Sequence, residues 1–228
     1  MKVFWLGQAG FLLQRGGKSI LIDPYLSDSC AKVNPKSHRR LPLDEQFLKI
    51  KADVIVLTHD HADHTDMETL THYLSEDSGT LVLAAANAWK KVRALGGDNN
   101  YVIFRPGTSW TFDGITFTAV PAEHSDPESI GVIVSCDEKT LYFTGDTLYN
   151  ERIFPCLPEN LFAVFLPING KGNNMNEADA AVFAKRTGAR YSVPIHFGMF
   201  DTIEPTIFSA NNRIIPTAYE DVFMEVAL

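Results

Sequence analysis

Residues 54–66 read VIVLTHDHADHTD, an apolar run followed at once by three imidazoles (His59, His61, His64) and three carboxylates (Asp60, Asp63, Asp66). Nitrogen and oxygen donors of this kind suit zinc, manganese, iron or nickel. Side chains of an extended segment alternate with period two, so His59 and His61 project together, while Asp63 and His64 lie where the chain turns toward the next helix. Four donors then converge on one pocket. Three more follow strand-like runs: His124 behind TFTAVPAEH, Asp146 in LYFTGDT and His196 behind YSVPIH. A fold that brings those strand ends to one edge gathers all seven. His72, at helical spacing, reads as an ordinary helix residue.

The elements that must position these donors are legible from periodicity. KVFWL, GFLLQ and SILID, separated by turns such as Arg15-Gly16-Gly17-Lys18, read as a β-meander. Pro24 to about Arg40 reads as a polar loop, LDEQFLKI has helical spacing, and VIVL reads as a strand buried on both faces. A helix from near Asp66 (DMETLTHYL), a strand TLVLAA and a helix NAWKKVRAL follow. Strands YVIF, SWTFDG, ITFTAV, IGVIVSC and TLYFTG come next, the last two joined by a hairpin turn at Asp137-Glu138-Lys139. After them LFAVFLPI is a buried strand, NEADAAVFAKRTG a helix capped by Asn176 and stopped by Gly188, and RYSVPIH a strand. Strands followed by helices, repeated in two halves, predict an α/β fold in which two sheets face each other with helices outside, a four-layer αββα sandwich.

No Pro/Ser-rich or strongly charged stretch divides the 228 residues, so one domain over 1–228 is expected. The 45% hydrophobic content suffices for a sizeable core. A formal charge of −8 opposes broad attraction to nucleic acid or anionic membrane and favours a small-molecule substrate. Gln8 and Arg15 arrive too early for a signal peptide and no apolar run approaches the ~18 residues of a membrane helix, which points to the cytoplasm. Cys30, Cys136 and Cys156 show no CxxC spacing, and Cys136 in GVIVSC reads as core filling. Homo-oligomerisation stays open.

His59-Asp60-His61-Ala62-Asp63-His64 matches the HxHxDH motif of the metallo-β-lactamase superfamily, with His124, Asp146 and His196 in the order that superfamily requires. Within it, WLGQAGFLL, IDPYLSD, AEHSD and NMNEADA resemble the L-ascorbate-6-phosphate lactonase group and related metal-dependent hydrolases. The resemblance implies two divalent metal ions, manganese or zinc. His59, His61 and His124 would hold one, Asp63, His64 and His196 the other, and Asp146 would bridge them. Asp23 would orient a ligand histidine. The implied reaction is opening of a lactone by a hydroxide shared between the metals, with Asp63 or a metal-bound water handling the proton. A phosphodiesterase or phosphoesterase on the same centre is the alternative among enzymes, and a non-catalytic metal- or ligand-binding protein is the alternative outside them. An exported β-lactamase would carry a leader, an RNA-processing nuclease a basic surface, and a flavodiiron reductase a Glu in place of His61.

Substrate contacts must come from outside the metal set. Lys171 in NGKGNN and Arg39 and Arg40 in KSHRR are candidates for holding an anionic group such as a phosphate. For the two arginines a solvated basic loop is the competing reading. Asn174 is a further candidate contact.

Overall fold

A computed structural model describes residues 1–74 and 78–226. One sheet runs in the order β1 (Lys2–Trp5), β2 (Phe11–Arg15), β3 (Lys18–Ile22), β4 (Val54–Leu57), β5 (Leu81–Ala84) and β6 (Asn100–Ile103). Its first three strands form the antiparallel meander, and β3 to β6 are parallel. The second sheet comprises β7 (Ser109–Phe112), β8 (Ile115–Pro121), β9 (Ile130–Cys136), β10 (Lys139–Phe143), β11 (Ala163–Pro167) and β12 (Tyr191–Ile195), again neighbours in chain order. Here β7 to β10 are antiparallel and β10 to β12 parallel.

Apolar faces bring the sheets together. The Phe11 ring of β2 lies 5.0 Å from Phe143 of β10 and 4.8 Å from Phe165 of β11, and those two rings stack at 4.3 Å. Each such buried side chain is worth roughly 1.5–3 kcal/mol of transfer free energy. Strands β4, β5 and β11 are buried at every residue. That burial explains why VIVL, LVLA and AVFLP show no polar alternation. Of the helices α1 (Ser29–Val33), α2 (Met67–Tyr73), α3 (Ala86–Val92) and α4 (Glu177–Thr187), α3 packs on β5 and β6 and α4 on β11. The αββα sandwich is therefore the observed architecture. Asn176 caps α4 by accepting from the Asp179 N–H at 2.8 Å, and Gly188 ends it in the left-handed region at φ 66°.

Three expectations are corrected. LDEQFLKI forms only a 3-10 turn over Phe47–Lys49, in which Phe47 alone is buried, so the segment lacks the apolar stripe that would hold a longer helix against the core. The polar loop after Pro24 contains α1 and a second 3-10 turn, Pro35–Ser37. The third correction concerns α3, which stops at Val92 and continues as the 3-10 turn Arg93–Leu95.

Beyond β12 the chain covers two sheet edges. The Tyr219 N–H donates to Trp5 O at 2.6 Å and the Val222 N–H to Val3 O at 2.7 Å, while the Ile214 N–H reaches Ser192 O at 2.9 Å. Edge strands β1 and β12 are thereby shielded from pairing with other chains.

The strand directions decide where the chemistry lies. Asp23 follows β3, the HDHADH segment follows β4, His124 follows β8, Asp146 follows β10, Asn169 to Asn174 follow β11 and His196 follows β12. Within each sheet these strands run the same way, so every one of those residues emerges at a carboxyl end, where ligands gather in α/β sheets.

Candidate metal centre

The seven expected donors converge in two groups that share no residue, linked by a third formed by Asp23, His59 and His64. One ligand atom from each of His59, His61, His124 and Asp146 lies within 4.8 Å of the others, and the same holds for Asp63, His64 and His196. Asp146 touches both groups. Its Oδ1 is 3.3 Å from His64 Nε2, while its Oδ2 is 3.2 Å from His196 Nε2 and 4.0 Å from His124 Nε2. The means of convergence differs from strand alternation, because β4 ends at Leu57 and both His59 and His61 belong to the loop beyond it. In that loop the His64 and Thr65 N–H groups donate to His61 O at 3.1 and 2.7 Å, folding the segment back on itself.

Hydrogen bonds on the far ring nitrogens turn the imidazoles inward. Asp23, buried, accepts from His64 Nδ1 at 2.8 Å through Oδ2, and from the Thr58 N–H at 2.8 Å through Oδ1. The Thr58 hydroxyl donates to Asp23 Oδ2 at 2.5 Å and leaves its lone pair toward His59 Nδ1 at 3.1 Å. His124 Nδ1 lies 3.2 Å from Asn173 O. Each of these three rings then presents Nε2 to the centre as a lone pair. His61 is reversed: its Nε2 is 3.3 Å from Ser125 Oγ, and its Nδ1 faces His124 Nε2 at 3.2 Å.

The donor set fits a divalent cation on grounds internal to the chain. His59 Nε2 is a buried polar atom with no hydrogen-bond partner among the described residues, while His64 Nε2 and Asp146 Oδ1, also buried, face each other at 3.3 Å without a well-formed hydrogen bond, and all three belong to the groups just described. An unsatisfied buried polar atom costs about 1–3 kcal/mol, and a metal ion would satisfy these together.

The charges are arranged to balance without a metal as well. Burial drives His59 well below its ordinary range, helped by the neighbouring His64, so its ring is neutral. Burial also lowers His124. For His64 burial is outweighed by Asp146, Asp63 and Asp23, which hold it well above the usual histidine value. For His196 burial is outweighed by Asp146 and then Asp63, and it is pushed up to about 10. Burial would raise Asp63 and Asp146, but His64 and His196 overrule it and hold both carboxyls below the usual range.

Backbone strain concentrates here too. Gln8 (φ 52°), Asp23 (φ 42°), Asn173 (φ 62°) and His196 (φ 60°) all occupy the left-handed region. Such residues cost about 1 kcal/mol or more each and persist only where surrounding contacts enforce them. The enforcing contacts are visible: the His196 N–H donates to Gln8 O at 3.0 Å, and the Asp23 N–H donates to Val56 O at 3.0 Å.

A cleft of about 240 Å³ opens over Asp63, Asp146 and His196, lined also by Gln8, Lys171 and Asn174. Lys171 is exposed at its mouth and Asn174 is buried, donating from Nδ2 to Asp146 Oδ2 at 2.9 Å. The two arginines are not brought to it. The Arg39 guanidinium donates to Tyr25 O at 2.7 Å, Leu41 O at 2.8 Å and Tyr219 Oη at 2.6 Å, bracing the chain beneath the site. Arg40 is exposed and lies outside the cleft lining.

Sequence reasoning missed four contributors. Gln8 donates from Nε2 to Asp63 Oδ2 at 2.8 Å. Thr58 orients His59, and Asn173 acts through a backbone carbonyl that carries no side-chain signal. Asp126 accepts from the Asp60 N–H at 3.1 Å and from Asn87 Nδ2 at 2.7 Å, tying the histidine loop to α3. The polar pair Thr58 and Asp126 beside HDHADH and His124 was the available clue.

Fold and site together define a protein with a candidate metal centre at the carboxyl ends of two mixed sheets. A family model described as "Beta-lactamase superfamily domain" matches residues 18–197. A UPF0173 metal-dependent hydrolase of Bacillus thuringiensis subsp. konkukian is 31% identical over 224 residues, covering 90% of this chain and 88% of that protein. The chain belongs to the beta-lactamase superfamily, among the UPF0173 metal-dependent hydrolases. In fold it is similar to Igni18, a metallo hydrolase from Ignicoccus hospitalis (TM-score 0.74, 22% identity, 96% of each chain). It is also similar to isothiocyanate hydrolase from Delia radicum gut bacteria (TM-score 0.73, 20% identity, 96% of this chain and 98% of that one). No helix among the described residues is long and apolar enough to cross a membrane.

Proposed function

We propose that the protein opens a small lactone, of the L-ascorbate-6-phosphate kind, at a centre of two divalent ions, manganese or zinc. The single observation that carries this reading is the contact of Asp146 with both donor groups, one oxygen toward His64 and the other toward His124 and His196. His59, His61 and His124 would hold one ion, Asp63, His64 and His196 the other, with Asp146 between them. Bound there, the ions supply Lewis acidity toward a carbonyl oxygen and make water acidic enough to attack at neutral pH.

The chain's own residues do the rest. Asp63, on the cleft wall, takes the proton from the attacking water and returns it to the ring oxygen that leaves. Asn174 keeps Asp146 from rotating by donating to its Oδ2. Among the described residues Lys171 is the one lysine or arginine that lines the cleft, and its ammonium would hold an anionic substituent at the mouth. A cleft of about 240 Å³ is of a size to take a small molecule.

Turnover of L-ascorbate 6-phosphate by manganese-loaded protein, compared with a lactone lacking the phosphate, tests the reading. Metal-dependent ring opening is expected. Lys171→Glu should raise KM for the phosphorylated lactone about fivefold, the ~1 kcal/mol of an exposed ion pair, and leave kcat in place. A folded, metal-replete protein that opens neither lactone but cleaves a phosphodiester would replace this reading with the phosphodiesterase one.

A further inference from the structure

The turn between β1 and β2 supplies a residue that ties together two members of one half of the centre. Gln8 is buried at 2% exposure, stands at φ 52°, and lines the cleft. Its side-chain Nε2 is 2.8 Å from Asp63 Oδ2 and 3.0 Å from His196 Nε2. Its carbonyl accepts from the His196 N–H at 3.0 Å and from Trp5 Nε1 at 3.1 Å. Its neighbour Gly7 (φ 88°) allows the turn to lie against the core, since a Cβ there would come within 2.5 Å of the Met199 side chain.

These contacts are one-sided. Gln8 reaches Asp63 and His196, which belong to the same donor group, and among the described residues makes no hydrogen bond to His59, His61 or His124. We infer that Gln8 is a positioning residue for one of the two metal positions: its amide holds Asp63 Oδ2, the oxygen that faces His196 Nε2 at 3.4 Å and His64 Nε2 at 3.8 Å, while its carbonyl fixes the backbone of His196, so that it sets affinity at the Asp63/His64/His196 position and leaves the other unaffected. The inference rests on the two-ion reading above.

A neutral amide suits this role. A carboxylate in its place would repel Asp63, and an apolar side chain would leave Asp63 Oδ2 held only by the two rings, at 3.4 Å from His196 Nε2 and 3.8 Å from His64 Nε2. Partners that orient metal ligands typically change affinity 10–100-fold when removed.

Stepwise titration of metal-free protein with Co²⁺, followed by visible absorption and by equilibrium dialysis, separates the two positions without any substrate. Wild type should take up two equivalents. Gln8→Met, which keeps the length and the same backbone strain but has no donor, should bind the first equivalent as wild type does and the second about 10–100-fold more weakly. Gln8→Glu should weaken the second further. Retained binding of the first equivalent reports that the variant is folded. If wild type binds a single equivalent, the two-ion reading fails and the inference fails with it. If wild type binds two and the Met and Glu variants bind both unchanged, or lose both together, Gln8 does not act on one position and only the inference is overturned.

Discussion

Thr58→Val removes one hydroxyl from the centre and changes neither charge nor shape at Cβ. The Thr58 Oγ1 donates to Asp23 Oδ2 at 2.5 Å and faces His59 Nδ1 at 3.1 Å, and Thr58 itself is 1% exposed. Losing a hydrogen bond to a carboxylate costs about 1.5–3 kcal/mol, and leaving the His59 ring nitrogen without a partner about 1–3 kcal/mol. Replacing the hydroxyl by a buried methyl returns about 1 kcal/mol. The net expectation is a loss of roughly 1.5–5 kcal/mol in urea unfolding of the metal-free protein, with an unchanged m-value. A second effect follows from the tautomer. His59 is neutral, and without the Thr58 oxygen its proton is no longer held on Nδ1, so Nε2 is free to carry it and cease to be a lone-pair donor. Metal affinity should fall 10–100-fold. Stability within about 0.5 kcal/mol of wild type together with affinity within twofold would refute the orientation chain from Asp23 through Thr58 to His59.

Asp146→Ala should abolish tight metal binding and turnover while the chain stays folded, as metal content by elemental analysis and far-UV circular dichroism will show; full activity in that variant would reject the site. Gly145→Ala should lower stability by about 1–3 kcal/mol in thermal unfolding, because at φ 61° its Cβ would come within 2.9 Å of Ile130 O and 3.0 Å of Thr58 Cβ. The metal-free protein should also lose stability with rising pH. His196 has its folded value pushed up to about 10 from an ordinary 6.5, so its contribution is full below about 6.5 and disappears as pH climbs toward 10. Asp63 and Asp146 are shifted down, so theirs is present above the ordinary carboxylate value of 3.8 and fades as pH falls below it. Melting temperatures of metal-free protein should therefore decline between pH 6.5 and 10, and manganese should flatten that decline by displacing the protons; a metal-free melting temperature independent of pH over that range would contradict the pairing.

The sequence disclosed what side-chain type and strand periodicity can carry. His59, His61, Asp63, His64, His124, Asp146 and His196 are all at strand ends or in the loops that follow them, and an imidazole or carboxylate after an apolar run is visible without a structure. Asp23 was legible for the same reason, following ILI before Pro24. Gln8 was not, because its role depends on a turn that packs against β12, far away in the chain. Asn173 acts through its carbonyl, which every residue possesses. Arg39 shows the opposite failure: a guanidinium in a polar loop suggests an anion site, yet its donors close on Tyr25 O, Leu41 O and Tyr219 Oη, and the last partner lies 180 residues away. LDEQFLKI displays helical spacing without a surface to pack on, so only Phe47 is buried and a 3-10 turn results.

Anomalous diffraction from crystals of manganese-loaded protein tests the central claim most directly. Two peaks flanking the Asp146 carboxylate are expected, one against His59, His61 and His124 and the other against Asp63, His64 and His196. A single peak at metal saturation, or peaks bound by other residues, would contradict the two-ion centre.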